Sequence, residues 1–192
     1  MQKFVVLVVF LGILSLPLMA ADNPKLEVFG GYQYLHTGDI TIDGQKFANS
    51  SANWNGWDTS ATYNFSKHIG VEGNFGGAYK TVSGVSTHVY TYTFGPKVSF
   101  PSGRIDPFAH VLFGGLKLGG SKHGQSESFN GFTMAFGGGL DVKASKVIAI
   151  RLAEFDWVYY HFGNQTINGL GTIPSFSQSN NVRIASGVVF RF

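Results

Sequence analysis

From Val182 to Phe192 the chain alternates without interruption. Val182, Ile184, Ser186, Val188, Phe190 and Phe192 fall on one parity, and Arg183, Ala185, Gly187, Val189 and Arg191 on the other. A period of two belongs to a strand, because successive side chains point to opposite faces. One face of this strand is apolar and ends in two phenylalanines, while the other carries two arginines among small residues. Such a strand suits the wall of a β-barrel whose outside touches lipid and whose inside is polar.

The same rhythm recurs along the chain. Leu26, Val28, Gly30, Tyr32 and Tyr34 alternate with Glu27, Phe29, Gly31 and Gln33, and Trp57, Thr59, Ala61, Tyr63 and Phe65 with Asp58, Ser60, Thr62 and Asn64. Ile69, Val71, Gly73 and Phe75 oppose Glu72, Asn74 and Gly76, and Tyr90, Tyr92, Phe94, Pro96, Val98 and Phe100 oppose Thr91, Thr93, Gly95, Lys97 and Ser99. Between Pro107 and Leu118 both faces hold apolar residues; Ala109, Val111 and Phe113 are assigned outward and His110 inward. Phe132, Met134, Phe136, Gly138, Leu140 and Val142 form the next clean face, and Ile148, Ile150 and Leu152 the one after it, with Arg151 inside. Glu154 and Asp156 then fall on the apolar parity. Either a β-bulge near Ala153 resets the register, or these acids already stand above the membrane. With the closing strand the count is eight.

Connections near 66–68, 101–106 and 144–146 are short, whereas those near 36–53, 80–87, 119–130 and 161–180 are longer and rich in Gly, Ser, Asn and Thr. Strict alternation of short and long predicts an all-β, eight-stranded antiparallel up-and-down transmembrane barrel, with short periplasmic turns and longer extracellular loops. Strands of roughly 9 to 12 residues cross a bilayer at a tilt. Closure follows because hydrocarbon cannot satisfy an open sheet edge. Eight strands leave an interior that side chains just fill.

Glu72, Lys97, Asp141 and Arg151 all lie on the inward parity, two or three residues from a short turn. Buried charge is costly unless paired, so these four are expected to form one interior network, with Asp58 and Arg183 as further members. Two readings follow: a salt-bridged polar plug, favoured because two acids balance two bases, or a gate whose pair exchange opens a narrow water path. Trp54, Trp57, Tyr90, Tyr92, Trp157, Tyr159 and Tyr160 near the outer strand ends, with Phe65, Phe100 and Phe192 near the inner ends, are expected to form aromatic girdles.

Lys3, the apolar run from Phe4 to Leu14, and Met19-Ala20-Ala21 read as a secretory signal peptide over residues 1–21, leaving a barrel domain over 22–192. The run is shorter than the roughly 20 residues of a spanning helix, and no second long apolar run occurs. Without Lys3 the chain has 13 basic and 11 acidic residues, a balance too mild to suggest nucleic acid. Charged residues make up 13% of the chain, which would poorly cover a soluble surface but suits a lipid-facing belt. There is no cysteine, hence no disulfide framework or thiolate site. The histidines share no strand face at close spacing, so neither a metal nor another cofactor is expected.

Gly70-Val71-Glu72, Gly95-Pro96-Lys97, Gly139-Leu140-Asp141, Ile150-Arg151-Leu152 and Val189-Phe190-Arg191-Phe192 together resemble the small eight-stranded outer-membrane barrels of the OmpA-type transmembrane domain and its OmpX/Ail-like relatives. The resemblance spans about Lys25 to Phe192. It implies an interior charge cluster at Glu72, Lys97, Asp141 and Arg151. It also implies a terminal aromatic signal, Phe190 and Phe192, read by barrel-assembly machinery. The expected setting is the Gram-negative outer membrane after export, with outer-membrane lipids and lipopolysaccharide as surroundings. The expected role is structural or surface-interacting rather than enzymatic. Two alternatives stand beside it. One is a lipid A-modifying barrel enzyme, although His161-Phe162-Gly163-Asn164 lacks the serine such a site needs. The other is a secreted lipocalin-like binding barrel with the faces inverted.

Overall fold

The computed structural model describes residues 24–42, 44–82, 85–122, 125–167 and 171–192. The expected signal peptide lies outside the described residues. The strands are β1 (Leu26–Thr37), β2 (Ile40–Ile42), β3 (Gln45–Phe47), β4 (Ala52–Asn64), β5 (Ile69–Val82), β6 (Val85–Ser99), β7 (Ile105–Lys122), β8 (Gln125–Lys143), β9 (Ile148–Phe162), β10 (Gln165–Ile167), β11 (Gly171–Ile173) and β12 (Phe176–Arg191). No helix occurs among the described residues.

Eight of these strands pair in the order β1-β4-β5-β6-β7-β8-β9-β12, and β12 returns to β1, so the sheet closes. Every pairing is antiparallel. The seam runs from Glu27↔Arg191 to His36↔Val182 without a register shift. Beyond it, Lys25 N and Leu26 N both donate to the Phe192 carbonyl, and Phe192 N donates to the Leu26 carbonyl. The first and last strands are thereby clamped at one rim, and no spanning strand keeps an unpaired edge in hydrocarbon.

The two faces separate as the alternation requires. Phe94, Phe136 and Phe190 are 68%, 59% and 47% exposed on the outside, whereas Glu72 and Arg151 are 0% and 1% exposed inside. A lipocalin-like barrel would need the reverse. In β7, Ala109 and Phe113 face out, while Phe108, His110, Leu112 and Leu116 face in.

The register of β9 is reset by a bulge. Against β8 the pairing steps from Leu140↔Ala153 to Asp141↔Arg151, and against β12 from Ala185↔Glu154 to Gly187↔Arg151. Both neighbours thus skip a residue at Leu152–Ala153, so the extra residue belongs to β9. Below it odd-numbered residues point inward, as Arg151 does; above it even-numbered ones do, beginning with Glu154 and Asp156. Of the two readings of these acids, the bulge is the one realised.

Two short turns share one construction. Ser66 Oγ accepts from His68 N and Ile69 N, and Ser145 Oγ accepts from Val147 N and Ile148 N. The third turn reverses through Gly103, whose φ of +58° favours glycine. The longer connections are built mainly from further ladder. Pairing of β5 with β6 continues to Val82↔Val85, and of β7 with β8 to Lys122↔Gln125. β2–β3 and β10–β11 form small hairpins in the other two. The barrel strands are accordingly 12 to 19 residues long rather than the 9 to 12 expected. The Gly/Ser/Thr-rich segments read as loops instead go on pairing with their neighbours.

Candidate functional site: the charged interior

Inward side chains divide the lumen into layers. At the turn end, Arg191 Nε donates to Glu27 Oε1 at 3.1 Å and Nη2 to Asp106 Oδ2 at 3.0 Å. Glu27 also accepts from Lys97 Nζ at 3.3 Å, and Lys97 lies 3.5 Å from Glu72 Oε2. Glu72 Oε1 stands 3.3 Å from His110 Nδ1, and His110 Nε2 lies 2.8 Å from Asp156 Oδ1. Arg183 donates to Asp156 Oδ2 through Nε and Nη2 at 2.8 and 2.5 Å, to Asp58 at 3.0 Å and to Asn74 at 2.8 Å. Its Nη2 lies 3.6 Å from Glu154 Oε1, and Glu154 Oε2 accepts from Arg151 Nη1 at 2.5 Å. Arg151 completes the path with a two-bond grip on Asp141, at 2.8 and 3.1 Å. One continuous chain of ion pairs therefore runs from Asp106 to Asp141.

Local structure places each member. The Arg151 guanidinium is sandwiched between the Phe29 and Phe108 rings, 4.3 Å from each centroid. Phe108 also lies 4.4 Å from Lys97 Nζ. Stacking on aromatic faces suits a weakly hydrated guanidinium. Opposite the large side chains the wall is thin. A Cβ on Gly137 would collide with the Phe155 carbonyl and the Asp156 carboxylate.

Of the six charged residues nominated above, Glu72 meets Lys97, Asp141 meets Arg151, and Asp58 meets Arg183. Among the described residues, the first two pairs share the Phe108 ring and are joined by ion pairs through His110, Asp156, Arg183 and Glu154. The balance of two acids and two bases does not hold. Among the described residues, seven buried carboxylates (Glu27, Asp58, Glu72, Asp106, Asp141, Glu154 and Asp156) face the four basic side chains Lys97, Arg151, Arg183 and Arg191 and one imidazole. Glu27 and Arg191 were legible by parity alone. Asp106 was hidden in an assumed turn, and Glu154 and Asp156 behind the bulge.

Farther from the turns, a cavity of about 10 Å³ is lined by Gln33, Thr91, Thr93, Thr133, Tyr160 and Arg183, among others. That is room for about one water, and the buried Thr93 and Thr133 hydroxyls have no protein hydrogen-bond partner. Beyond it Leu35, Trp54, Val89, Leu112, Leu116, Val158, Tyr160 and Phe162 form an apolar cluster inside the barrel.

That cluster corrects two aromatic assignments. Trp54 is 9% exposed and donates its indole N–H to Thr37 Oγ1 inside the barrel, and Tyr160 is buried beside it. Neither belongs to a girdle. Both lie on the inward parity of their strands, Tyr160 because of the bulge. Trp57, Tyr92 and Trp157 face outward, as does the half-buried Tyr159, whose ring stacks on His161. Trp57 Nε1 donates to the Tyr79 hydroxyl at 3.1 Å, which in turn donates to the Tyr90 hydroxyl at 3.2 Å. Phe190 is exposed and Phe192 half-buried toward the opposite rim, the end that also carries the exposed Phe65 and Phe100.

Comparison with known proteins agrees with this architecture. A family model described as "Outer membrane protein beta-barrel domain" matches residues 6–192. The fold is similar to that of Neisserial surface protein A (TM-score 0.63, 11% identity, covering 88% of this chain and 97% of that one). It is also similar to Pseudomonas aeruginosa OprG (0.55, 12%, 88% and 96%). Ail, the attachment invasion locus protein of Yersinia pestis, is similar as well (0.52, 19%, 88% and 99%). No curated protein sequence matches the chain.

Proposed function

Because the chain belongs to the outer-membrane β-barrel domain family, we propose that it serves as a small integral outer-membrane barrel with a non-conducting lumen, presenting paired β-hairpins at the cell surface. The observation that carries this reading is the layered interior. Ion pairs occupy the turn end, the apolar cluster the other, and the cavity between them has room for about one water. A hydrated ion would have to strip guanidinium–carboxylate pairs and then cross a dry layer. In this reading the hairpins ending at Val82/Val85 and Lys122/Gln125 are the parts offered to the outside. The apolar belt is covered by lipid and lipopolysaccharide acyl chains. The signal peptide directs export, and Phe190 and Phe192 present the terminal aromatic signal to the assembly machinery.

The role is structural or surface-interacting rather than enzymatic. His161, the nearest approach to a lipid-modifying motif, is exposed on the outer face, where its ring stacks on Tyr159.

Planar-bilayer recording tests the closed lumen. Wild type and Lys97→Ala are both expected to give silent traces. Discrete current steps in wild type would overturn the reading, and steps in Lys97→Ala alone would make the ion pairs a gate.

A further inference from the structure

The lumen carries more negative than positive charge. Counting His110, set between the Glu72 and Asp156 carboxylates, as a cation, seven carboxylates against five cations leave a formal −2 among the described interior residues. Isolated charge is poorly tolerated at such burial, so the excess calls for a positive partner. The geometry indicates where. One oxygen each of Glu154 and Asp156 and a ring nitrogen of His110 lie within 4.8 Å of one another. Each acid commits one oxygen elsewhere: Asp156 Oδ2 is held by Arg183 and Glu154 Oε2 by Arg151. Asp156 Oδ1 is turned to His110 Nε2, and Glu154 Oε1 is buried with no hydrogen bond, the Arg183 Nη2 lying 3.6 Å from it. On the far side of the ring, Glu72 Oε1 lies 3.3 Å from His110 Nδ1, and neither atom has a hydrogen bond.

We propose that this site binds one divalent first-row transition-metal ion, ligated by His110 Nε2, Asp156 Oδ1 and a Glu154 oxygen. A mixed imidazole–carboxylate set suits zinc and its neighbours. Ligand atoms around such an ion stand about 3.3 Å apart, with metal–ligand bonds near 2.1 Å. The 2.8 Å His110–Asp156 contact therefore opens slightly as the ion replaces the shared proton. Glu72 receives the Nδ1–H, which fixes the tautomer and turns Nε2 toward the ion, the carboxylate–histidine–metal arrangement. Arg151 and Arg183 hold the outer oxygens of the two acids. Because the ion enters as the Nε2 proton leaves, the formal balance goes from −2 to −1.

The test uses the full chain folded in detergent micelles, loaded with Co²⁺ during folding or afterwards, then desalted. Metal content is read by mass spectrometry and coordination by visible absorption. Wild type is expected to retain about one ion per chain with a ligand-field band of low-coordinate cobalt. His110→Gln and Glu154→Gln are expected to lose both readouts, and Glu72→Gln to weaken binding roughly 10- to 100-fold. His88→Gln and His161→Gln, which alter histidines outside this cluster, are expected to match wild type. Unboiled gel mobility certifies folding, and Asp156→Asn replaces any ligand variant that does not fold. Background metal in wild type would overturn the proposal. So would retention that survives loss of the ligands, or retention that disappears with His88 or His161.

Discussion

Arg183 spreads its guanidinium over Asp156, Asp58 and Asn74, with Glu154 within 3.6 Å. Truncation would strand three acids in a site from which water is largely excluded. Arg183→Met is therefore expected to cost about 3–5 kcal/mol, the range for breaking a buried pair by removing one partner. Urea titration in lipid vesicles or micelles measures it, and a cost below that of an ordinary surface substitution would refute the ion-pair account. The outer face makes a complementary prediction. Phe94 is 68% exposed on the lipid side, and Phe94→Arg is expected to destabilise by about 2–4 kcal/mol in bilayers if it sits near the midplane. Parity alone assigns Phe94 outward and Arg183 inward. It does not reveal which acids Arg183 meets, because those come from β4 and β9, 125 and 27 residues away in sequence.

At the scale of the strand, β9 shows how one residue governs a face. The extra residue at Leu152–Ala153 lets Leu152 point into lipid while Arg151 and Glu154, on either side of it, both point inward. Deleting Ala153 would remove the extra residue and restore strict alternation with Arg151, Glu154 and Asp156 all still inward, because Leu152 alone would then separate Arg151 from Glu154. Such a chain is expected to keep the heat-modifiable folded band on unboiled gels, and loss of the band would show that the two faces of β9 are not set by this one extra residue. The bulge was one of two readings open from sequence. Choosing it required the pairing with β8 and β12, since nothing within residues 148–162 distinguishes a bulge from a strand that has left the membrane. The hairpin extensions have a similar cause. Gly, Ser and Thr at 80–87 and 119–130 are read as loop formers in isolation, yet a paired neighbour is enough to keep them in the ladder.

For the whole molecule, closure couples the parts. The β1–β12 seam joins residues about as far apart as the chain allows, as in Glu27↔Arg191, and the charged layer gains one of its bridges across that seam. The ionic and apolar layers stand in series, so opening one leaves the other. Leu116→Ala is expected to lower stability by about 2–5 kcal/mol without producing current in planar bilayers. Current from that variant alone would show that the apolar layer is the sole barrier.

The alternating pattern, the count of eight strands, the short-turn positions and the inward set of Glu72, Lys97, Asp141 and Arg151 are properties of local order. They were readable because a strand's side-chain period is fixed by backbone geometry. The bulge in β9, the inward placement of Tyr160, and the meeting of His110 with Glu154 and Asp156 depend on which strands lie side by side and at what register. Those are long-range pairings, decided only when the sheet closes and each buried charge must find its partner across the lumen.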